Sequence, residues 1–164
     1  MKPKVLMIMG SDSDLPVMEE AGKIFGEFGI PFEMTIASAH RSPARVMKLA
    51  SEAEKRGIEV VIAAAGAAAH LAGFVAAHTL LPVIGIPINS SPLQGLDSLL
   101  STVQMPPGIP VATMAVGKAG AKNAAILAAQ IVGRKDKGIM RKLAAHRKKM
   151  AADVAKKAES LKKG

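Results

Sequence analysis

Three short polar segments, each directly after an apolar run, carry the side chains in this chain that could do chemistry. They span residues 10–14, 38–43 and 66–71, and they follow the apolar runs 5–9, 32–36 and 60–65. Together they hold serine hydroxyls, carboxylates, a guanidinium and two imidazoles. Because ligands of open α/β sheets bind outside the carboxyl ends of the strands, these groups are expected to meet at one sheet edge. This set of groups suits a small phosphorylated substrate and a proton-transfer reaction.

The first segment places Ser11, Ser13 and Asp14 between a strand and the start of a predicted helix. Backbone N–H groups at a helix start are unpaired and attract anions. A serine hydroxyl adds a donor for phosphate, and a carboxylate can accept a hydrogen bond from a ribose hydroxyl. The same residue types are also the preferred helix caps, with Ser13 or Asp14 the expected cap here. This segment alone therefore favours a plain cap.

The second segment adds Ser38, His40 and Arg41. Arginine offers a bidentate fork for phosphate, and the ordinary pKa of histidine lies close to neutral pH, which suits proton transfer. Pro43 restricts the backbone of Ser42 and so helps to fix the loop. A solvated surface loop is the alternative. It is disfavoured because this segment follows a strand that ends beside the first one.

His70 lies in a run of small apolar residues after the third strand. A lone histidine among alanines is more often a satisfied core residue than a catalytic one. Its position after the third strand, beside the other two segments, makes the two interpretations equally open. Lys118 could contact an anion, but a helix-capping turn is the preferred interpretation of its glycine-flanked position. A metal site is disfavoured, because the sequence has no cysteine and no His-x-x-x-His pair.

The composition predicts one domain with a substantial core. The chain has 164 residues, of which 49% are apolar. No apolar run approaches the roughly 18 residues of a spanning helix, and the one near the N-terminus is shorter than the roughly 7–15 residues of a signal-peptide core. Zero cysteine excludes disulfides and thiolate nucleophiles. We therefore expect a cytoplasmic protein with no membrane partner.

The net charge of +9 lies entirely in the C-terminal tail. Residues 1–133 have 10 basic and 10 acidic side chains, whereas residues 134–164 have 12 basic and 3 acidic ones. Aromatic residues make up 2% of the chain, with no Trp or Tyr, so platforms for base stacking are nearly absent. Tail charge alone gives only non-specific attraction to nucleic acid, and no specific nucleic-acid partner is expected.

The hydrophobic pattern alternates strands with helices. It predicts strands at 5–9, 32–36, 60–65, 83–86 and 111–116, and helices at about 14–28, 43–56, 67–79, 97–104 and 119–132. Alternation of this kind indicates a parallel sheet with right-handed crossovers. The fold class predicted is α/β, as a three-layer α/β/α sandwich.

The basic tail is predicted to be a helical extension of the domain formed by residues 1–133. Residues 134–164 carry apolar side chains at positions 139, 143, 150, 154 and 161. This spacing describes a thin apolar stripe on a helix rich in Lys and Arg. The stripe favours packing on the body or on a neighbouring subunit over a membrane-surface helix, which usually has a larger aromatic or leucine-rich face.

Six ordered motifs run along the body of the chain. They are Met-Gly-Ser-Asp-Ser-Asp at 9–14, Ser-Ala-His-Arg at 38–41, Ala-Ala-His-Leu at 68–71, Leu-Asp-Ser-Leu-Leu-Ser at 96–101, Val-Gln-Met-Pro at 103–106 and Gly-Lys-Ala-Gly-Ala at 117–121. Together they resemble the PurE family of de novo purine biosynthesis, and within it the class I mutases. The resemblance implies a flavodoxin-like fold, a homo-octamer, no metal and no organic cofactor.

The resemblance also implies an activity and site roles. The activity is that of an isomerase, which moves a carboxylate from the exocyclic nitrogen of an imidazole ribonucleotide to ring carbon C4. His40 is the implied general acid/base. Residues implied to bind the ribose phosphate are Ser11, Asp14 and Arg41, supported by Ser13 and Ser38, and those implied to line the base and carboxylate pocket are His70 and Leu71.

Two alternatives to the mutase stay open. A second branch of the family carboxylates aminoimidazole ribonucleotide directly with CO2 and typically has Lys after the catalytic histidine, so Arg41 favours the mutase. A non-catalytic nucleotide-binding module is the third possibility. The chain also departs from the family pattern around His70, where Ala67 replaces a usual glycine and Ala72 a usual proline. Alanine at 67 adds a methyl group where glycine would tolerate a positive φ.

Overall fold

The computed structural model describes residues 2–162 and has one five-stranded, wholly parallel sheet. The strands are β1 (Val5–Met9), β2 (Phe32–Ile36), β3 (Val60–Gly66), β4 (Val83–Ile88) and β5 (Ala112–Thr113). Their order across the sheet is β2-β1-β3-β4-β5, the order of the flavodoxin-like folds. The predicted α/β class is therefore confirmed.

Within residues 2–162, six α-helices connect and follow the strands. They are α1 (Leu15–Phe28), α2 (Pro43–Glu52), α3 (Leu71–Ala76), α4 (Leu96–Val103), α5 (Lys118–Gly133) and α6 (Lys137–Leu161). Helices α1 and α5 pack on one face of the sheet, and α2 and α3 pack on the other. The three layers follow from this arrangement.

Strand β1 shows why the sheet is buried on both faces. Its five residues are all apolar and all buried. Because successive side chains of a strand point to opposite faces, Val5, Met7 and Met9 join the core under α1 and α5, whereas Leu6 and Ile8 join the core under α2 and α3. A central parallel strand must be apolar throughout for this reason.

The start of α1 has the expected cap residue but not the expected cap bond. Asp14 is the N-cap residue of α1, as predicted, but its side chain forms no cap bond to that helix. The Asp14 side chain instead takes part in a reciprocal capping box around the 3₁₀ turn at Asp12–Asp14, which Ser11 caps. There the Ser11 hydroxyl accepts from the Ser13 N–H, while the Asp14 carboxylate accepts from the Ser11 N–H.

Two predicted elements are shorter in the structure. The helix expected at 67–79 forms only as α3, because Ala67 has a φ of 51°, which lies outside the right-handed helical region and breaks the alanine-rich run. The strand expected at 111–116 is the two-residue β5, which pairs with β4 alone at the edge of the sheet. Local hydrophobicity indicated both elements at their full length. It registers neither the left-handed backbone at Ala67 nor the position of β5 at the edge of the sheet.

Helix α6 packs on the body only through its first turns. Ile139 and Leu143 are buried in the core with α1 and α5, and Lys142 Nζ donates to the carbonyl of Phe28 at the end of α1. Further along the predicted stripe, Met150, Val154 and Leu161 are 50%, 67% and 84% exposed. The stripe therefore packs on this chain for two of its five positions. No helix within residues 2–162 is both long and apolar enough to cross a membrane.

Two glycines, Gly26 in α1 and Gly120 in α5, offer a matched test of how closely α5 approaches the backbone at Ala115. A Cβ added at Gly120 would lie 1.7 Å from the carbonyl oxygen of Ala115, whereas one added at Gly26 would meet no atom within 4 Å. We expect Gly120→Ala to destabilise the fold by at least about 2 kcal/mol, because backbone must move. Gly26→Ala should stabilise it by about 0.5–1 kcal/mol, since alanine restricts the unfolded chain.

Denaturant unfolding of both variants measures the two free energies. Equal and small effects at the two positions would contradict the close approach of α5 to the 115 carbonyl.

Candidate active site

The carboxyl ends of three adjacent strands lie level with one another. In the parallel register, Met9 at the end of β1 pairs with Ile36 of β2 on one side and with Ala64 of β3 on the other. The strands lie in the order β2-β1-β3 across this part of the sheet, so the loops after β1 and β3 leave it side by side. This is the switch point at which ligands bind in this class of fold. The three polar segments of the sequence therefore converge.

These segments enclose a cleft of about 290 Å³. All eight residues singled out from the sequence line it, namely Ser11, Ser13, Asp14, Ser38, His40, Arg41, His70 and Leu71. Small residues 65–68 form one wall, and Ser90, from the loop after β4, forms part of another. Sequence reasoning missed Ser90; its position two residues beyond Ile88, the end of β4, was the available signal.

The first loop presents a buried carboxylate beside the hydroxyls of Ser11 and Ser13. Asp14 is only 3% exposed, and this burial raises its pKa above the ordinary value. Hydrogen bonds from the Ser11 N–H and from the hydroxyl of Ser13 oppose that rise. Asp12 is exposed, and its hydrogen bond from the Ser11 hydroxyl lowers its pKa. The two carboxylates of one short loop thus have different environments, and Asp14 is the one in the cleft wall.

Arg41 bridges the first and second loops. Its Nη2 donates to the carbonyl oxygen of Gly10 at 3.1 Å, although 31 residues separate the two. The backbone N–H of Arg41 donates to the Ser38 hydroxyl at 3.2 Å. A guanidinium has five N–H donors in a planar fork, so one bond to Gly10 leaves donors for an anion in the cleft. Ser38 holds the turn that presents Arg41.

His40 and His70 form a hydrogen-bonded pair at the mouth of the cleft. His40 Nε2 lies 2.9 Å from His70 Nδ1, and the ring centroids are 5.0 Å apart with the planes near perpendicular at 85°. An N···N bond of this kind requires one nitrogen to carry a proton and the other to be bare. One ring therefore donates an N–H to the bare ring nitrogen of the other, and imidazoles so placed can take up or deliver a proton at a bound ligand.

The third loop brings backbone close to the cleft. A Cβ on Gly66 would lie 1.8 Å from the Ser90 hydroxyl oxygen, so only glycine fits there. The next residue, Ala67, has a left-handed φ of 51°, which a side chain disfavours. Leu71, at the start of α3, is 2% exposed and faces both the core and the cleft. The His70 loop is therefore narrow, strained at one residue and anchored by the helix that follows.

The arrangement divides the cleft into two chemical parts. Hydroxyls, backbone N–H groups and the Arg41 guanidinium lie around the first loop and suit a sugar phosphate. The imidazole pair and the wall of small residues lie toward the third loop. Within residues 2–162, no group of three or more histidine and acidic side chains is placed to hold a metal ion.

Comparison with known proteins gives a consistent picture. The family described as AIR carboxylase matches residues 4–153. A relative from Pyrococcus horikoshii named N5-carboxyaminoimidazole ribonucleotide mutase is 59% identical over 98% of this chain and 89% of its own length. One from Thermotoga maritima with the same name is 57% identical over 97% of this chain and 92% of its own.

Two further comparisons add a structure and a second name. The crystal structure of Treponema denticola PurE superposes with a TM-score of 0.88 at 30% identity, covering 98% of this chain and 99% of that one. A Candida albicans relative named phosphoribosylaminoimidazole carboxylase is 53% identical over 97% of this chain but only 28% of its own length.

The strain at Ala67 is measurable. Ala67→Gly should leave the free energy of unfolding unchanged or raise it by up to about 1 kcal/mol, because relief of the left-handed alanine offsets the greater freedom of glycine in the unfolded chain. Ala68→Gly is the matched control, since Ala68 has no positive φ, and it should cost about 0.5–1 kcal/mol. Denaturant unfolding measures both; equal losses would mean that the backbone at 67 is unstrained.

Proposed function

The chain belongs to the AIR carboxylase (PurE) family, and on this premise we propose that its cleft catalyses the N5-carboxyaminoimidazole ribonucleotide mutase reaction. The observation that carries the proposal is the His40–His70 pair beside a phosphate-binding loop in one cleft. The relatives that share its length carry the mutase name. The enzyme is an isomerase, because the carboxylate leaves one atom of the substrate and joins another.

His40 acts as the general acid and then as the general base. As the carbamate N–C bond breaks, CO2 is released and His40 gives a proton to the exocyclic nitrogen. Ring carbon C4 then attacks CO2 and forms the new C–C bond, and His40 removes the C4 proton. One proton is given and one is taken, so the histidine returns to its starting state. Its exposed position at the cleft mouth, with Nε2 aimed at His70, suits both steps.

The ribose phosphate binds at the first loop. The hydroxyls of Ser11 and Ser13, which can turn from the carboxylates of Asp12 and Asp14 toward a ligand, bind the phosphate together with the remaining donors of Arg41. The buried Asp14 carboxylate accepts from a ribose hydroxyl, and Ser38 supports the turn that holds Arg41. This half of the site binds and orients, which places C4 and CO2 within reach of each other.

The imidazole base and the migrating carboxylate lie against the third loop. Residues 65–68 have no side chain larger than a methyl group, so the base can approach backbone closely. Leu71 adds an apolar contact beside His70. Released CO2 is captured only if it stays beside C4, and an apolar, water-poor wall favours that outcome. No cofactor takes part in the proposed reaction.

We expect a homo-oligomer, and the resemblance to the family puts its number of subunits at eight. Helix α4 and the loop before it expose apolar side chains, with Leu93, Leu96, Leu100 and Val103 between 46% and 62% exposed. The spacing of Leu96, Leu100 and Val103 by three or four residues puts these three on one side of the helix. Contiguous exposed apolar patches mark interfaces, and a second copy of this chain is the proposed cover. We place the enzyme in the cytoplasm, in keeping with a chain that has no cysteine.

Oligomer formation has a direct test. Leu100→Asp places a charge in the exposed α4 face and should lower the mass measured by light scattering, because a buried unpaired charge is strongly unfavourable. Lys55→Asp changes an exposed residue on another element and should leave the mass unchanged. A wild-type monomer at micromolar concentration would refute the oligomer.

The reaction itself is tested with carboxyaminoimidazole ribonucleotide that carries 13C in its carboxylate. Wild-type enzyme should move the label from the exocyclic nitrogen to C4 without added bicarbonate, as followed by NMR. His40→Asn should bind nucleotide but lose about 10²–10⁴-fold in turnover, because a positioned acid/base is removed. His146→Asn, in α6 against Phe28 and outside the cleft, is the control and should keep wild-type turnover.

Other results of the labelling experiment would support a different function. Product only from aminoimidazole ribonucleotide and CO2 would identify the direct carboxylase, and no product from either substrate would leave a nucleotide-binding module. Near-normal turnover by the His40 variant would remove His40 from its role.

A further inference from the structure

Ser101 connects helix α4 to the loop that carries His70. Its hydroxyl oxygen accepts the N–H of Ala69 at 3.2 Å and lies 3.4 Å from the carbonyl oxygen of Ala67. The same hydroxyl donates to the carbonyl of Asp97, one turn earlier in its own helix. Ser101 is not among the residues that line the cleft, so any effect on the site passes through the loop.

The direction of these bonds follows from the hydroxyl's single proton. A serine hydroxyl has one hydrogen to donate and two lone pairs to accept. The bond to Asp97 is much shorter than the approach to Ala67, so the proton lies toward Asp97. A lone pair then faces Ala69, which is 2% exposed and cannot turn its N–H to bulk water. Ser101 is the acceptor that satisfies this buried donor.

The loop between β3 and α3 has few other means of holding its shape. Residues 67–69 are alanines, whose side chains have no polar atoms. Ala67 is held in a left-handed conformation that an alanine disfavours, and the His70 N–H closes a tight turn onto the carbonyl of Ala68 at 2.8 Å. An unfavourable conformation persists only where its surroundings enforce it. Ser101 supplies that restraint at the residue directly before His70.

We propose that Ser101 is a positioning residue: through the Ala69 N–H it fixes the loop that aims His70 at His40. The effect on turnover rests on the proposed function, whereas the effect on the histidine pair is observable without any substrate. The chain of contacts runs from α4 through Ser101 to Ala69, then to His70 and across the 2.9 Å bond to His40. Helix α4 thus positions His70 through Ser101, a role separate from the binding of phosphate by the first loop.

Removal of the hydroxyl should separate catalysis from binding. Ser101→Ala leaves the Ala69 N–H without its acceptor, and the loop then relaxes away from its strained conformation. Because a displacement of about 1 Å at reacting groups can cost about 100-fold in rate, kcat should fall by about 10- to 100-fold. The KM for the ribonucleotide should change by less than about threefold, since Ser11 and Arg41 bind the phosphate from other loops.

Two further variants make the test specific. Ser101→Thr keeps the hydroxyl and should recover at least about tenfold of the lost kcat, because the acceptor for Ala69 is restored. Thr102→Val removes the neighbouring hydroxyl of the same helix, which is buried and donates to the carbonyl of Ser98. It does not touch the His70 loop through that hydroxyl, so it should lower the melting temperature and leave kcat unchanged.

The substrate-free readout is the NMR scalar coupling between Nε2 of His40 and Nδ1 of His70 across their hydrogen bond, in the intact protein labelled with 15N-histidine. The wild type should show this coupling, because the two nitrogens lie 2.9 Å apart. Ser101→Ala should lose it, because His70 is no longer aimed at His40. Thr102→Val should retain the wild-type coupling.

Unchanged coupling and unchanged kcat in Ser101→Ala would overturn the proposal, as would an equal loss of kcat in Thr102→Val, which would reduce the effect to helix stability. If the wild type fails to move the 13C label, the proposed function fails instead. The coupling between the two histidines would then still decide the role of Ser101.

Discussion

The parallel, in-register pairing of β1 with β2 and β3 is the constraint on which the rest of this structure depends. Met9, Ile36 and Ala64 lie level across the three strands, so the loops after β1 and β2 begin at the same height and the loop after β3 begins two residues further along, beyond Gly66. Taken alone, the short polar turn after each strand does not indicate a binding site. The pairing brings three such turns into one cleft, where Arg41 reaches the Gly10 carbonyl and His40 reaches His70.

Small residues let the surrounding layers come close enough to hold this cleft. Five alanines of α5 are wholly buried in the core that this helix forms with α1 and the sheet, namely Ala121, Ala124, Ala125, Ala128 and Ala129. Gly66 likewise lies close to Ser90, and the alanines that follow it leave room for a ligand. The same alanines have no polar side chain that could hold the His70 loop in place. Its position therefore depends on α4, in which Ser101, 32 residues after Ala69, accepts the Ala69 N–H.

Much of the fold and site was predictable because the signals are local. An apolar run of five residues followed by a polar turn predicts a buried strand and its loop, and this pattern located β1, β2 and β3 with the residues after them. Ser90, which lines the cleft, and Ser101, which contacts the His70 loop, were not predicted, since their own segments indicate only a turn and an amphipathic helix. The helix prediction also ran through Ala67, because alanine is the best helix former by local preference. Only the departure from the family pattern pointed to the positive φ at that position.

By itself, the sequence determined which elements form, which groups follow each strand, the family to which the chain belongs and the class of chemistry that phosphate-binding and proton-transferring side chains support. Only the tertiary structure decided the contacts within the site. These are the 2.9 Å bond between histidines 30 residues apart, the hydrogen bond from Arg41 to the carbonyl of Gly10, and the restraint of Ala69 by Ser101. It also decided that α6 packs through Ile139 and Leu143 and leaves its later turns exposed. The physical reason is that periodicity and capping act over one or two turns of chain. Contacts between distant residues instead depend on strand register and crossover packing, which belong to the whole fold.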